Sequence, residues 1–145
     1  MPRLKFDALQ NYPFRTELQL YTSHINHGNH LDNAQLVGLA SEARLRFLRW
    51  LGYDEMNVMG SGTVVGDQGL QYLSEAFHGE ILVFEMGTAD YNRYGFDVCW
   101  QAHDKASGRA IARGKIGIVL FNYQERRPVE LPDAVREKLQ AVQAG

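Results

Sequence analysis

The hydrophobic positions predict one long helix near the start of the chain. Between residues 33 and 51, apolar side chains recur at steps of three and four residues, the spacing of an amphipathic α-helix. These positions are Leu36, Leu39, Ala40, Ala43, Phe47, Trp50 and Leu51. Leu45 and Leu48 widen the apolar face, so the helix is expected to be covered on most sides. The helix is predicted to begin at Asp32 as its N-cap, with Gln35 as the second residue of a capping box, and to end at Gly52.

Alternating apolar and polar positions predict strands on both sides of this helix. A first strand follows Pro13 and ends near Ser23. Four further strands are predicted at 63–77, 81–91, 95–103 and 109–121. Gly66 and Gly69 interrupt the first of these four and predict a bulge or a sharp bend. In the last strand, the even-numbered residues from Ala110 to Leu120 are expected to share one face.

The connections between these elements complete a predicted α+β fold. Residues 53–62 are polar and rich in glycine, which indicates a mobile loop. Residues 132–142 carry a short amphipathic pattern and predict a second helix. A strand, a long helix and four antiparallel strands with short turns favour a curved five-stranded sheet wrapped around one central helix.

Composition narrows the class of protein. A length of 145 residues suits a single domain over 1–145 that needs no disulfide or structural metal. Cys99 is the only cysteine, which excludes an internal disulfide and a thiolate zinc cluster and fits a reducing compartment. No leader pattern and no apolar run of about 18 residues is present, so a soluble, cytoplasmic protein without membrane contact is expected.

The overall charge gives no field that would attract a polyanion. Fifteen basic and seventeen acidic residues leave a formal charge of −2. Nucleic acid is therefore not an expected partner, and any anionic ligand must be bound by a local cluster of charges. No phosphate-binding glycine loop is visible, and no cofactor is predicted.

Three stretches resemble a known family. They are the histidine-rich loop, residues 24–33 (HINHGNHLDN), then EAR at 42–44 followed by Phe47, and YLSEAFHGEILVFE at 72–85. Over roughly residues 14–129 the chain resembles the hotdog-fold acyl-CoA and acyl-carrier thioesterases related to 4-hydroxybenzoyl-CoA thioesterase. The resemblance implies a hotdog fold, hydrolysis of a coenzyme A or acyl-carrier thioester, and a homodimer or homotetramer whose site is built partly by a neighbouring subunit.

The histidine-rich loop departs from the family pattern DxDxNxHVNN. It shares His30, a branched apolar residue at Leu31, and Asn33. Where the pattern has its catalytic aspartate this chain has Asn26, and where it has an asparagine this chain has Gly28. Another branch of hotdog thioesterases pairs an asparagine in this loop with a carboxylate in the following helix, and Asn26 with Glu42 resembles that arrangement.

Thioester hydrolysis requires a carboxylate as base or nucleophile, and donors for the oxygen that gains charge. A helix N-terminus offers such donors, here the amides of residues 32–34. Glu42 is the first candidate for the carboxylate because the helix offers little solvent-facing surface; the alternative is a surface pair with Arg46 at i+4. Asp32 is the rival carboxylate, and its alternative role is the N-cap.

The remaining catalytic candidates lie in the histidine-rich loop. Asn26 is placed to orient water or the thioester carbonyl, with a left-handed turn residue as the alternative. His30 is a candidate donor or proton shuttle, with a purely structural histidine as the alternative. The loop has HxxHxxH spacing at His24, His27 and His30, which is an alternative suggesting a metal site with Asp32 as the fourth ligand. That spacing in a loop lacks the usual zinc signature, so no metal is predicted.

Substrate binding is assigned to Asn33 and to three basic residues, Arg93, Arg113 and Lys115, as contacts for coenzyme A phosphates. Further basic candidates are Arg109, Arg126 and Arg127. For most of them the alternative is a solvated surface charge. Tyr72, Phe84 and Trp100 are either core aromatics or walls of an acyl pocket.

The sequence therefore predicts a thioester hydrolase that acts on acyl-CoA or an acyl-carrier thioester. The alternative is a non-catalytic hotdog module that binds acyl groups or a carrier protein, which the absence of an aspartate at Asn26 favours. A dehydratase with His30 as base is a third hypothesis from the same fold.

Overall fold

The computed structural model describes residues 3–145, which form two α-helices and one antiparallel sheet. The elements in chain order are β1 (Phe14–Gln19), a 3-10 turn (Thr22–His24), α1 (Asn33–Trp50), β2 (Gly62–Tyr72), β3 (Ile81–Ala89), β4 (Gly95–Asp104), β5 (Ala110–Asn122), β6 (Arg127–Pro128) and α2 (Asp133–Ala144). The sheet order is β1-β3-β4-β5-β2, and the short β6 pairs with β5. The predicted α+β class and the predicted order along the chain, a strand, one long helix and four further strands, are confirmed.

Helix α1 begins at the predicted cap. The Asp32 carboxylate accepts the N–H groups of Ala34 and Gln35 at 3.0 and 3.2 Å. The predicted return half of a capping box is absent, because the Asp32 N–H donates to the carbonyl of His24 at 2.9 Å. Gly52 follows the last turn with φ 91°, a conformation that favours glycine, and ends the helix as predicted.

Only one side of α1 is covered by the sheet. The side that packs toward β1 and β3 buries Leu36, Leu39, Ala40, Ala43, Phe47 and Leu48. The opposite side leaves Ala34, Gln35, Gly38 and Glu42 in partial or full contact with solvent. The prediction that this helix is covered on most sides is therefore wrong for the single chain, since one curved sheet can cover only one face of it.

Trp50 also differs from the prediction, because its side chain lies at the rim of the core. It is 52% exposed and stacks on Phe14 and Phe47, with ring centroids 5.5 and 6.1 Å apart. Phe47 itself is 1% exposed. Of the predicted stripe, Trp50 alone lies at the rim, since Leu48 and Leu51 on either side of it are buried.

Two register breaks shape the sheet. The pairing of β2 with β5 shifts between Val65 and Asp67, which confirms the predicted bulge at Gly66. The pairing of β4 with β5 shifts beside Ala102, so that Ile111 is buried while Ala110 is exposed. The predicted alternation in β5 is wrong at Ala110 for this reason.

The segments that flank the sheet are held by tight turns and hydrogen bonds. Residues 53–62 form two successive tight turns with isolated bridges, and Val58 among them is buried. The N-terminal segment crosses the outer face of the sheet, where the carbonyl of Phe6 accepts Arg113 at 3.0 Å. From α2, Gln143 donates to the carbonyl of Asn11 at 2.7 Å. Within residues 3–145, neither helix has both the length and the apolar character of a membrane span.

We expect Phe47→Ala to lower the free energy of unfolding by about 3–5 kcal/mol, because it removes a fully buried ring beneath α1. Trp50→Ala should cost clearly less, since half of that side chain is already in water. Urea unfolding followed by circular dichroism measures both. Equal losses for the two variants would contradict the observed difference in burial.

Candidate active site

A cleft of about 420 Å³ lies at the N-terminal end of α1, and we call it the N-terminal cleft. Its walls come from the histidine-rich loop, the first turn of α1, the end of β2 with residues 73–76, and β5. The lining residues are Asn26, His30, Leu31, Asp32, Asn33, Leu36, Tyr72, Leu73, Ser74, Glu75, Ala76 and Ile111. An apolar concavity with a few convergent polar groups is typical of a small-molecule site. The structure thus brings together four of the predicted site residues.

The histidine-rich loop is a small closed turn that is bound to the opposite wall. The Asn26 N–H donates to the carbonyl of His30, and the Asn29 N–H donates to the carbonyl of Asn26, both at 3.0 Å. Asn29, with φ 63°, takes the left-handed conformation that was considered for Asn26. The Leu31 N–H donates to the carbonyl of Ala76 at 2.7 Å, so the loop and residues 73–76 hold a fixed separation.

Asn26 faces the cleft as a hydrogen-bond donor. Its Oδ1 accepts the N–H of Gly28 at 2.9 Å, which closes a local turn. Its Nδ2 has no partner among residues 3–145. An amide held in this way offers two N–H donors to a ligand and has no basic atom.

The ring of His30 is oriented by the backbone of the next residue. Its Nδ1 lies 3.1 Å from the carbonyl oxygen of Leu31, and since a carbonyl only accepts, this contact assigns the proton of the neutral ring to Nδ1. Nε2 then carries the lone pair. A Cβ at Gly28 would lie 3.0 Å from this Nε2, so the absence of a side chain there leaves room for the ring.

The other two histidines of the loop do not line the cleft. Nδ1 of His24 accepts the N–H of Tyr21 at 2.8 Å, and the two rings stack with centroids 5.8 Å apart. His27 is exposed. In the part of the chain that the structure describes, no group of three His, Cys, Asp or Glu side chains is arranged to hold a metal ion.

The helix N-terminus offers fewer donors than predicted. Among the amides of residues 32–34, that of Asp32 is bound to His24 and that of Ala34 to the Asp32 carboxylate. Within residues 3–145, the Asn33 N–H is the one amide of the three with no hydrogen-bond partner. Because the helix dipole places positive potential at this point, the Asn33 N–H is suited to a developing negative charge.

Tyr72 forms the outer wall of the cleft. Its hydroxyl donates to the carbonyl of Asn33 at 3.0 Å. Burial and, to a smaller extent, the charge of Asp32 raise the pKa of the Tyr72 phenol, so it remains a donor at neutral pH. Phe84 and Trp100, in contrast, lie fully in the core with centroids 5.5 Å apart, and neither lines the cleft.

Glu42 lies outside the N-terminal cleft. Its carboxylate accepts Nε of Arg46 at 2.8 Å, and its side chain is 49% exposed. Arg46 also donates to Thr16 Oγ1 and the carbonyl of Glu17, which places the pair beside β1, the sheet edge opposite β2. The expected sequestered position of Glu42 is therefore wrong for the single chain, and the alternative i,i+4 pair is confirmed. A catalytic role for Glu42 stays a prediction.

The predicted phosphate-binding residues are bonded to other parts of the chain. Arg93 pairs with Glu130 at 2.7 Å. Lys115 lies between Asp67 and Asp97 at 2.8 and 3.2 Å. Arg113 donates to the carbonyl of Phe6 in the N-terminal segment on the outer face. None of the three lines the N-terminal cleft, and each contacts an acid or a carbonyl on another segment.

Sequence reasoning missed Ser74 and Glu75, because residues 63–77 were assigned to one strand. The chain leaves the sheet after Tyr72, and the N–H groups of Leu73 and Ser74 both donate to the carbonyl of Ile111, at 2.8 and 3.2 Å. We call residues 73–76 the wall segment. The one feature of the sequence that could have indicated this segment is the polar pair Ser74 and Glu75, which interrupts the apolar residues of YLSEAF.

The family model described as thioesterase-like superfamily matches residues 21–139. The chain belongs to this superfamily. The predicted class of enzyme, a thioester hydrolase, is thereby confirmed. No curated protein sequence matches the chain.

Solved structures, among them those of two thioesterases, have the same fold. A thioesterase from Thermus thermophilus, complexed with coenzyme A and zinc, is 22% identical with a TM-score of 0.79, covering 94% of this chain and 99% of that one. A Staphylococcus aureus protein in complex with coenzyme A is 17% identical with a TM-score of 0.80, covering 90% of this chain and 84% of that one. A 1,4-dihydroxy-2-naphthoyl-CoA thioesterase from Synechocystis is 16% identical with a TM-score of 0.78, covering 88% and 95%. The predicted hotdog fold is confirmed.

We expect Asp32→Ala to lower the free energy of unfolding by about 1 kcal/mol, because two N–H groups of α1 lose their cap. Asp32→Asn should unfold close to the parent protein, since asparagine caps about as well. Urea denaturation of the three proteins checks this. An Asp32→Ala protein as stable as its parent would contradict the capping role.

Proposed function

We propose that the chain hydrolyses acyl-CoA thioesters in the N-terminal cleft. The observation that carries this proposal is the convergence of two donors without partners within residues 3–145, the Asn33 N–H and Asn26 Nδ2, with His30 on one apolar cleft at a helix N-terminus. Such donors stabilise the oxyanion of a tetrahedral intermediate, and removing one oxyanion donor in an enzyme costs about 100- to 1000-fold in rate. Membership in the thioesterase-like superfamily supports the same chemistry.

The proposed mechanism places the thioester carbonyl oxygen between Asn33 and Asn26. A water molecule activated by a carboxylate attacks the carbonyl carbon, and the oxygen gains negative charge beside the two donors. Collapse breaks the carbon–sulfur bond and expels a thiolate. After the base has taken a proton from the attacking water, His30 Nε2 can accept that proton and pass it to the sulfur. Nε2 is available for this step because the ring's own proton is held on Nδ1 by the backbone.

The acyl donor is proposed to be a coenzyme A thioester. This proposal is supported by the two similar proteins whose structures contain coenzyme A. Because the chain's own acids neutralise Arg93 and Lys115, we infer that the nucleotide part is bound by other groups. An acyl-carrier thioester would need the same cleft and the same donors.

We further propose a homodimer or homotetramer that forms through β2, in a cytoplasmic setting. β2 is an edge strand of the sheet, and Val65 on it is 38% exposed. An unpaired edge with exposed apolar side chains is an open template for pairing. The cleft reaches this edge at Tyr72 and Leu73, so a second copy there would extend its wall.

A non-catalytic acyl-binding module is the second candidate function. The observation that favours it is Asn26, which stands where the resembling thioesterases have an aspartate and whose Oδ1 is occupied by Gly28. In that case the cleft would bind the acyl group and leave the thioester intact.

We expect the purified protein to release thiol from at least one acyl-CoA in a panel of short, aromatic and long acyl groups. Asn26→Ala should lower kcat/KM by about 100-fold or more, because one oxyanion donor is lost. A thiol-reactive dye measures the release. His27→Ala is the matched control, since His27 lies in the same loop, is exposed and does not line the cleft.

Two outcomes would count against hydrolysis. A parent protein that leaves every acyl-CoA of the panel intact contradicts the proposed function. Tight acyl-CoA binding in a calorimeter combined with no thiol release selects the acyl-binding module.

A further inference from the structure

Hydrolysis in the N-terminal cleft requires a carboxylate there, and the candidates are the two acids that line it, Asp32 and Glu75, together with Glu42, the acid predicted from the helix. Asp32 uses its carboxylate to cap the helix. Glu42 is bonded to Arg46, whose guanidinium also reaches Thr16 and Glu17 of β1. Glu75 lines the cleft itself. Its carboxylate has no hydrogen bond or ion pair with any residue in 3–145.

The main chain around Glu75 is held on both sides. Arg109 Nε donates to the carbonyl of Glu75 at 3.2 Å, and Arg109 Nη2 is bound by both oxygens of Glu80 at 2.7 and 2.9 Å. The next carbonyl, that of Ala76, accepts the Leu31 N–H at 2.7 Å. The guanidinium of Arg109 therefore fixes the backbone of Glu75, while its charge is neutralised by Glu80.

Ser74 fixes the wall segment from the other direction. Its Oγ donates to the carbonyl of Ala110 at 2.5 Å and its N–H to the carbonyl of Ile111 at 3.2 Å. The hydroxyl is thus committed to β5 and is not available as a nucleophile. The backbone of the wall segment is therefore fixed, and the exposed side chain of Glu75 presents a carboxylate without a partner in the described chain to the cleft.

The groups that line the cleft with Glu75 complement a base. Asn26 and the first turn of α1 supply the two donors, and His30 supplies Nε2. Hydrolysis needs donors for the carbonyl oxygen and an acceptor for the water proton on separate groups. Asn26 cannot be that acceptor because it is an amide, and the wall segment places a glutamate in the same cleft.

We propose that Glu75 is the general base of thioester hydrolysis, an inference that rests on the proposed function. Glu75 takes a proton from water as the water oxygen bonds to the carbonyl carbon, and the oxyanion forms beside Asn33 and Asn26. The intermediate then collapses, the carbon–sulfur bond breaks with its electron pair on sulfur, and the proton passes from Glu75 to the thiolate directly or through His30. The products are a carboxylic acid and a thiol, and Glu75 returns to its ionised form.

The test measures acyl-CoA hydrolysis by Glu75→Gln. We expect kcat to fall by about 100- to 10,000-fold, the range of general-base catalysis, with binding of the acyl-CoA and the melting temperature little changed. Glu137→Gln is the matched control, because Glu137 is exposed on α2 and lies outside the cleft.

Glu75→Ala gives a second measurement that a structural role would not affect. Added formate, a small carboxylate that fits the vacated space, should restore part of the lost turnover of this variant and leave the parent enzyme unchanged. Glu75→Gln with turnover within about twofold of the parent overturns the inference while the proposed function stands. A strong loss in Glu42→Gln with normal Glu75→Gln would assign the base to Glu42. A parent protein without any hydrolysis overturns both.

Discussion

The geometry of the cleft depends on where the N-terminus of α1 is fixed relative to the wall segment. The buried face of α1 determines how the helix lies on the sheet, and the 2.7 Å hydrogen bond from Leu31 to Ala76 ties its start to the chain that leaves β2. Asp32 satisfies two amides of the first turn, and the Asn33 N–H, on a residue that lines the cleft, has no partner within residues 3–145. Core packing fixes the position of the helix, and the Asp32 cap satisfies N–H groups that would otherwise cost free energy when left without partners. Together they create a donor at a defined place.

Charge pairing within the chain decides which groups remain for a ligand. Three cations, Arg93, Arg109 and Lys115, each form an ion pair with an acid from another segment. Their charges are therefore neutralised within the chain. The donors and the carboxylate proposed to act on substrate lie instead around the N-terminal cleft. The proposed site for the reacting carbonyl therefore lies apart from Arg93 and Lys115, whereas Arg109 contacts the backbone of Glu75 in the wall segment.

The fold was predictable from the sequence because its signals are local. The three- and four-residue spacing before Gly52 and the alternation in β4 each reflect burial against one surface. The errors arose where burial depends on the neighbouring segment: Trp50 lies beyond the edge of the sheet, and Ile111 turns inward at a register break. The predicted burial of Glu42 failed for the same reason, because Glu42 lies on the face of α1 that the sheet does not cover.

The histidine-rich loop was predictable as a site because its polar residues precede a capped helix. The wall segment was not, because its place beside that loop is created by two long-range hydrogen bonds, from Leu31 to Ala76 and from Arg109 to Glu75. These bonds also restrict how the cleft can adapt. Because its backbone is tethered from both flanks, we expect the proposed site to select among acyl groups mainly by side-chain volume at positions such as Leu73 and Ile111. We then expect the substrate range of this protein to evolve by exchange of those side chains and not by a change in the backbone of the wall segment.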